Sequence, residues 1–124
     1  MKIYFAHSSA FDFRKELYDP LRASALNKAH KIILPHEESD VPGNTRALIK
    51  TLDVFFAEVS YPSTGLGIEI GWAADTFLPI VCVYKKGSKP SSSLRAVTEF
   101  FIEYETPADL VARVENFLGR LSFE

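Results

Sequence analysis

Cysteine is almost absent from this sequence, since its 124 residues include only one, Cys82. A single cysteine cannot form a disulfide within the chain, which excludes the small secreted domains that depend on several such bonds. Cys82 lies in a run of apolar residues, where a free thiol usually fills space in a hydrophobic core. We therefore expect a cytoplasmic protein whose fold depends on its hydrophobic core and not on covalent cross-links.

An excess of one charge and a long hydrophobic run are absent as well. The formal net charge of −2 at pH 7 gives no support for binding to a nucleic acid polymer, which requires a basic surface. No apolar run approaches the roughly 20 residues that cross a membrane. Cysteine and histidine do not occur together at the spacing of metal ligands. We therefore expect no nucleic acid polymer and no membrane as partners, no metal and no cofactor.

Short apolar runs alternate with stretches of helical periodicity along the chain. With 47% hydrophobic residues, the sequence is long enough for one core, and we assign residues 1–124 to a single domain. Strands are predicted at the apolar runs 2–6, 31–35, 52–59, 78–84 and 100–104. Helices are predicted from residue 12, with a kink or break at Pro20, and at 45–52, 68–77 and 107–121. This alternation indicates an α/β fold with a five-stranded parallel sheet and helices on both faces.

The segment 53–73 carries most of the functional information. A buried apolar strand is followed by a turn-forming cluster, YPSTG at 61–65, and then by a helical pattern with Glu69 in its first turn. In parallel α/β sheets, ligands bind where strands end and helices begin. Two simpler interpretations stay open: the acid only complements the helix dipole, and the glycines only permit a tight turn and close helix packing at Gly65, Gly67 and Gly71.

Two stretches of sequence resemble a known family of enzymes. DVFFAEVSYPSTGLGIEIGWA (53–73) and KIYFAHS (2–8) are similar to the nucleoside 2-deoxyribosyltransferase family, which includes the 2'-deoxynucleoside 5'-phosphate N-hydrolases. The family pattern is a strand that ends in Ala-Glu-Val, a Pro-Ser-x-Gly-x-Gly turn, and a catalytic glutamate followed by an apolar residue and Gly. The resemblance spans nearly the whole chain and implies a flavodoxin-like or Rossmann-like core.

The resemblance implies a glutamate nucleophile that cleaves an N-glycosidic bond. Glu69 falls on the catalytic glutamate of the family, and Tyr4 falls on the tyrosine whose hydroxyl orients that glutamate. A carboxylate at this place attacks the anomeric carbon to form a glycosyl ester, which water or a second base then displaces. Without the resemblance, Tyr4 is interpreted as an aromatic side chain of the core.

The resemblance also implies which residues hold the substrate, a small-molecule nucleoside or nucleotide. Three serines fall on positions that bind a 5'-phosphate in the N-hydrolase branch, namely Ser8, Ser63 and Ser93. The third of them reaches in from a neighbouring subunit in that branch, which implies a homodimer. His7 stands where the family has a glycine after the first strand, and we expect it beside the substrate together with Gly65 and Gly67. The transferase branch has an aspartate at the Ser63 position, so this serine favours a nucleotide, although serines in turns also cap helices.

The chain departs from the family pattern at residues that assist catalysis. The family's aspartate in the helix before the central strand corresponds to Thr45, and its Arg-Gly-Gly stretch is replaced by Ala-Phe-Asp at 10–12. Phe11 and Tyr61 are candidates to stack on the base. The candidates to replace the missing acid are His36, Glu38, Asp40 and Asn44.

Three functions of different classes are compatible with these residues. The first is an enzyme that cleaves the N-glycosidic bond of (2'-deoxy)nucleoside 5'-monophosphates or nucleosides, by hydrolysis or by 2-deoxyribosyl transfer to another base. The second is a non-catalytic nucleotide-binding module, which keeps the fold but lacks the full catalytic set. The missing aspartate motivates the second interpretation, and a domain that serves only protein interactions is a third.

Overall fold

The sheet is the centre of the computed structural model, which describes residues 1–37 and 44–121 of the chain. Within these residues, five strands form one sheet: β1 (Lys2–His7), β2 (Lys31–Ile33), β3 (Val54–Glu58), β4 (Ile80–Lys85) and β5 (Phe100–Tyr104). Neighbouring strands pair in parallel in the order β2-β1-β3-β4-β5. This is the strand order of flavodoxin-like folds, and it confirms the predicted five-stranded parallel sheet.

Helices connect the strands and cover both faces of the sheet. α1 (Asp19–Ala23) and α2 (Leu26–Ala29) link β1 to β2, α3 (Thr45–Ile49) precedes β3, α4 (Thr64–Asp75) links β3 to β4, and α5 (Pro107–Leu121) follows β5. A π-helical turn (Arg14–Tyr18) precedes α1, and a 3₁₀ turn (Ser92–Ala96) precedes β5. Parallel strands require such long connections, because the chain must return to the same end of the sheet.

Alternate residues of the buried strands divide the core between the two faces. On β3, Val54 and Phe56 belong to one layer and Phe55 and Ala57 to the other, and all four are fully buried. The first layer packs against α1, α2 and α5, and the second against α3 and α4. The apolar run of β3 is continuous because both of its faces are covered. Cys82 is buried in the second layer, as predicted.

The helical segment after β1 is broken, as the sequence predicts. The π-helical turn ends at Tyr18, Pro20 stands in the first turn of α1, and α1 ends at Ala23, because the backbone of its C-cap, Ser24, is extended. Proline is tolerated in a first turn because its missing N–H would have no partner within the helix there. The Ser24 hydroxyl donates a hydrogen bond of 2.7 Å to the Leu21 carbonyl and so closes α1.

The start of α4 differs from the prediction. The helix begins at Thr64, with Ser63 as its N-cap, and the Ser63 hydroxyl oxygen accepts a hydrogen bond of 3.3 Å from the Leu66 N–H. Glu69 is the sixth residue of α4 and lies in its second turn, not in the first. The helix dipole acts mainly within the first turn, so complementing the dipole does not explain this acid.

The glycines of α4 are not required by the packing of the chain. Gly65, Gly67 and Gly71 lie inside the helix and do not form the predicted turn. A Cβ atom added to any of them would meet no atom within 4 Å, so the predicted close packing is wrong as well. Each glycine costs a helix about 1 kcal/mol relative to alanine. All three glycines are exposed, and each leaves the helix backbone without a side chain at its position.

The last helix begins and packs as its sequence predicts. The Asp109 N–H donates a hydrogen bond of 3.0 Å to the Thr106 hydroxyl at the start of α5. Its buried side follows the spacing of four residues that an amphipathic helix requires, with Leu110, Val114 and Leu118. In the described part of the chain, no helix has both the length and the apolar character needed to span a membrane.

Candidate active site

A cleft, here named the Glu69 cleft, opens at the carboxyl ends of β1 and β3 beside the N-terminal half of α4. Its volume is about 620 Å³. The described residues that line it are His7, Ser9, Phe13, His36, Ser63, Gly65, Leu66, Ile68, Glu69 and Trp72. In this strand order, the connections turn to opposite sides between β1 and β3, and ligands of doubly wound folds bind at that point.

The structure brings Glu69 and Tyr4 together at this cleft. The Tyr4 hydroxyl donates a hydrogen bond of 2.8 Å to Oε1 of Glu69. Tyr4 lies on β1, is 1% exposed, and stacks on Phe55 with ring centroids 5.4 Å apart, so its phenol has little freedom to move. Glu69 is partly exposed and lines the cleft. A buried tyrosine thus holds one oxygen of a carboxylate that borders open space.

Burial and this hydrogen bond act on the Glu69 carboxyl in opposite directions. Burial raises the pKa of Glu69 above the ordinary value of a glutamate, and the hydrogen bond from Tyr4 lowers it. Burial and the Glu69 charge raise the pKa of Tyr4 well above its ordinary value, so the phenol keeps its proton and remains a donor. The net rise in the pKa of Glu69 makes its carboxylate more basic than one in water.

Thr45, at the position of the family's aspartate, also contacts the Tyr4 phenol. Its side chain lies close enough to the phenol to oppose the rise in the pKa of Tyr4. This contact places the start of α3 beside the Tyr4–Glu69 pair. A threonine hydroxyl does not release a proton near neutral pH, whereas a carboxylic acid does. The position that supplies an acid in the family therefore supplies none in this chain.

The other candidates for the missing acid differ in where they lie. Asn44 is the N-cap of α3, and its side-chain oxygen accepts a hydrogen bond of 3.2 Å from the Ala47 N–H. Glu38 and Asp40 lie outside the described residues. His36 is partly exposed and lines the Glu69 cleft. Of the candidates that the structure describes, His36 is the one at the cleft.

His7 lies at the end of β1 with both ring nitrogens engaged. Its Nδ1 is 2.8 Å from the Ser8 carbonyl oxygen, which can only accept, so Nδ1 carries the proton. Its Nε2 is 2.6 Å from the Tyr18 hydroxyl and accepts a hydrogen bond from it. Burial lowers the pKa of His7 to about 4, so the ring is neutral near neutral pH. His7 therefore offers the cleft the surface of its ring and no free N–H group.

Aromatic rings form much of the cleft wall. The His7 ring packs against Phe13 with centroids 4.5 Å apart and against His36 with centroids 5.5 Å apart. Trp72 adds a fourth ring to the lining. Flat rings of this kind are surfaces on which a nucleobase stacks. Trp72 follows Glu69 by three residues on one helix, a spacing that places both side chains on the same face, and the sequence contains this signal.

The two rings predicted to stack on a base stack on each other instead. The centroids of Phe11 and Tyr61 are 5.1 Å apart, and neither residue is among those that line the cleft. The Lys85 ammonium lies 5.2 Å from the Phe11 ring and 5.3 Å from the Tyr61 ring. It also donates hydrogen bonds of 3.1 Å to the Tyr61 hydroxyl and 2.5 Å to the Glu16 carboxylate. This pair is therefore held by its own contacts, and Phe11 also lies edge-on to His7 with ring centroids 6.0 Å apart.

The three serines of the predicted phosphate site do not meet in one cleft of the chain. Ser63 lines the Glu69 cleft and also a second groove of about 570 Å³, which Ser93 lines as well. Ser8 is 3% exposed, its hydroxyl oxygen accepts a backbone hydrogen bond of 3.1 Å, and it lines neither space. Gly65 borders the Glu69 cleft, and Gly67 borders the second groove.

A second carboxyl group, Glu58, is buried in a separate network. Glu58 is 0% exposed and accepts hydrogen bonds of 2.6 and 3.0 Å from the N–H and hydroxyl of Ser60, and another from the Tyr104 hydroxyl. The Ser60 hydroxyl oxygen accepts a hydrogen bond of 2.8 Å from the Lys85 N–H. Burial raises the pKa of Glu58, and these hydrogen bonds oppose the rise. The network ties together the carboxyl ends of β3, β4 and β5.

The described residues do not form a group of side chains suited to binding a metal ion. Across residues 1–37 and 44–121, no group of three or more His, Cys, Asp or Glu side chains is placed to hold a metal ion.

Solved structures of other proteins share this fold. The CMP N-glycosidase of Clostridium botulinum is 19% identical, with a TM-score of 0.71 over 94% of this chain and 99% of that chain. A conserved protein of Enterococcus faecalis is 18% identical, with a TM-score of 0.61 over 94% and 98%. A 2-deoxyribosyltransferase of Leishmania mexicana is 20% identical, with a TM-score of 0.53 over 67% and 63%. No protein-family model and no curated protein matches the sequence. These likenesses establish the α/β fold.

Proposed function

We propose that this chain cleaves the N-glycosidic bond of a nucleoside or nucleoside 5'-monophosphate, with Glu69 as the nucleophile, as members of the nucleoside 2-deoxyribosyltransferase family do. The observation that carries the proposal is the hydrogen bond of 2.8 Å between Tyr4 and Glu69 at the cleft. The sequence resemblance selects the same two residues. Two of the proteins with this fold are a CMP N-glycosidase and a 2-deoxyribosyltransferase, which supports the same chemistry.

The proposed reaction has two steps. In the first, an oxygen of the Glu69 carboxylate attacks C1' of the sugar while the bond from C1' to the base breaks. The electrons of that bond leave with the base, and a glycosyl ester of Glu69 forms. In the second step, water or another base attacks C1' from the face that the first base left, and the carboxylate is released. The sugar product therefore retains its configuration.

The surroundings of Glu69 favour this chemistry. Tyr4 holds one carboxylate oxygen in place, which reduces the entropy cost of a productive attack. Partial burial strengthens the attraction between the carboxylate and the positive charge that develops on the sugar, because little water screens it. Phe13 and Trp72 provide ring surfaces for the base in the same cleft.

A 5'-phosphate on the substrate is favoured by the N-terminus of α4. This helix has 12 residues, and the N–H groups of its first turn attract anions. Ser63 adds a hydroxyl at the same place, and Gly65 leaves the backbone bare beside the Glu69 cleft. A phosphate can approach such a backbone closely because no Cβ stands in its way. We therefore include the 5'-phosphate in the proposal.

The proposal also includes a cytoplasmic homodimer. Ser93 lines the second groove, which shares Ser63 with the Glu69 cleft but does not include Glu69, and we propose that the Ser93 that faces the substrate comes from another copy of the chain. The one cysteine is a free and buried thiol, which suits a reducing compartment. The acceptor of the sugar is water in a hydrolase and a second base in a transferase, and analysis of the products distinguishes the two.

Base release from a panel of substrates tests the proposal. The protein is incubated with ribonucleotides, deoxyribonucleotides and nucleosides, with and without a second base, and the free base is measured by liquid chromatography. Glu69→Gln should lower release by about 1,000-fold or more, because the nucleophile is lost. Glu115→Gln, at an exposed glutamate of α5, should leave it unchanged. No release by the wild-type protein, or full release by Glu69→Gln, contradicts the proposal.

A non-catalytic nucleotide-binding module is the second candidate function. Thr45 favours it, because this residue contacts the Tyr4 phenol where the family has an acid. The candidate predicts that a nucleotide raises the melting temperature of the protein by binding to the folded state, with no release of base. It also predicts that Glu69→Gln keeps this stabilisation. Turnover by the wild-type protein excludes this candidate.

A further inference from the structure

A nucleobase leaves readily only if it receives a proton, and a titratable side chain of the Glu69 cleft is needed to donate it. A base that leaves as an anion is a poor leaving group, whereas a base protonated on its ring leaves as a neutral molecule. Among the described residues that line the cleft, the titratable side chains are His7, His36 and Glu69. Glu69 is the nucleophile of the proposed function, on which this inference rests. The described candidates for the acid are therefore the two histidines.

His7 cannot serve as the acid in this arrangement. It donates its Nδ1–H to the Ser8 carbonyl at 2.8 Å, and its Nε2 accepts from the Tyr18 hydroxyl at 2.6 Å. Each ring nitrogen therefore already has a partner within the chain. Burial disfavours the charged form of the ring as well. His7 has neither a free N–H nor an additional proton to transfer.

His36 is held by its backbone while its ring borders the cleft. Its N–H donates a hydrogen bond of 3.0 Å to the Tyr18 hydroxyl, and its carbonyl accepts one of 2.8 Å from the Arg14 guanidinium. Its ring lies 5.5 Å from the His7 ring and 5.6 Å from the Phe13 ring, measured between centroids. No described residue forms a hydrogen bond with its ring nitrogens. The ring is thus positioned, and its nitrogens face no competing partner among the described residues.

His36 and Glu69 line the same cleft, and Tyr18 connects the backbone of this histidine to the ring of His7. One hydroxyl group of Tyr18 bonds both to the His7 ring and to the His36 backbone. Burial raises the pKa of Tyr18 to about 12, and the charge of Glu69 contributes to this rise. The nucleophile and the histidine face one space of about 620 Å³.

We propose that His36 is the general acid that protonates the leaving base. In the first step, the His36 imidazolium gives its N–H proton to a ring nitrogen of the base as the bond to C1' breaks and the Glu69 ester forms. The base leaves neutral, and His36 becomes neutral. In the second step, neutral His36 takes a proton from the attacking water as the ester bond breaks. Histidine suits both roles, because it is the side chain that gains and loses a proton near neutral pH.

Two substrates that differ only in their need for a proton test this assignment. One is the nucleotide that the wild-type protein cleaves best, and the other is the same nucleotide with a methyl group on a ring nitrogen of its base, at N7 of guanine or N3 of cytosine. The methylated base already carries a positive charge and leaves as a neutral molecule without a proton donor. His36→Asn and His36→Phe are compared with the wild type, because the phenyl ring keeps the aromatic packing of His36.

The two variants should release the unmodified base about 100-fold more slowly and the methylated base at nearly the wild-type rate. Glu69→Gln should lose both activities, and His30→Asn, at a histidine hydrogen-bonded to the N-terminus, should lose neither. Equal losses on the two substrates, or no loss on either, overturn the assignment of His36. Failure of the wild-type protein to release either base overturns the proposed function instead, and this assignment with it.

Discussion

Loss of the Tyr4 hydroxyl in Tyr4→Phe should slow base release and shift the acid side of its pH profile to higher pH. The hydroxyl donates a hydrogen bond of 2.8 Å to Glu69, and this bond lowers the pKa of Glu69 against the rise that burial causes. Without the bond, the pKa of Glu69 rises further. Because only the carboxylate form attacks the sugar, the pH at which activity reaches half its maximum must also rise.

The size of the rate loss follows from the energy of one hydrogen bond to a charged group. Such a bond contributes about 1.5–3 kcal/mol. Since about 1.4 kcal/mol is a factor of ten in rate, kcat/KM should fall by about 10- to 100-fold even at a pH where Glu69 is ionised. The fold should remain intact, because the phenyl ring keeps its stack on Phe55 at 5.4 Å between centroids.

The assay is the rate of base release measured from acidic to alkaline pH for the wild type and Tyr4→Phe, with thermal unfolding as a check on the fold. Tyr84→Phe is the matched control, since Tyr84 packs against the same core layer as Tyr4 but does not line the Glu69 cleft. The control should reproduce the wild-type profile. If the Tyr4→Phe profile also coincides with the wild type in rate and midpoint, Tyr4 does not hold the carboxylate and the reasoning is refuted.

The remaining predictions concern the buried network and the assembly. Tyr104→Phe removes a donor to the fully buried Glu58 and should lower the free energy of unfolding in urea by about 1.5–3 kcal/mol at neutral pH. Burial raises the folded-state pKa of Glu58 above its unfolded value, so the free energy of unfolding falls as pH rises between the two values. Loss of the Tyr104 hydroxyl raises the folded-state pKa further and makes this fall larger. The destabilisation caused by Tyr104→Phe should therefore be smaller at acidic pH. A penalty independent of pH contradicts this. Light scattering should give twice the 13.9 kDa mass of one chain, and Ser93→Ala should weaken nucleotide binding; a fully active monomer contradicts the dimer.

The sheet could be predicted because each strand carries its own signal. β3 is buried on both faces, so its sequence is a nearly continuous apolar run. β5 occupies residues 100–104, the same five residues as the predicted strand. These patterns are local, and they need no knowledge of the neighbouring strands. Parallel pairing then follows from the helical stretches between the strands, because the chain returns to the same end of the sheet each time.

The start of α4 could not be predicted in the same way. Pro62, Ser63 and Gly65 favour a turn in isolation, and glycine has low helix propensity. In the structure, Ser63 caps the helix and Leu66, Ile70 and Ala73 are buried, so packing of that side outweighs the local preference. As a result Glu69 lies one turn later in the helix than its sequence context indicates.

The candidate site likewise contains some residues that the sequence predicts and others that only the fold brings together. The resemblance of two short stretches predicts the Tyr4–Glu69 pair, whereas no periodicity of the sequence relates residues on β1 to residues on α4. His36 and Phe13 come to the cleft through the packing of the segments around Tyr18. The sequence offers His36 only as one of four candidates for the missing acid, and it gives no sign that Phe13 reaches the cleft. The Glu58 network joins three strand ends, which only the sheet order brings together.

Capture of the covalent intermediate tests the central claim most directly. A nucleotide with fluorine at the 2' position slows both steps, since fluorine destabilises positive charge on the sugar, and a good leaving base then allows the ester to accumulate. Mass spectrometry of the protein after acid quenching and proteolysis should find the sugar phosphate on the peptide that contains Glu69, and no addition in Glu69→Gln. A label on another residue, or complete absence of label while the wild-type protein releases base, contradicts the account.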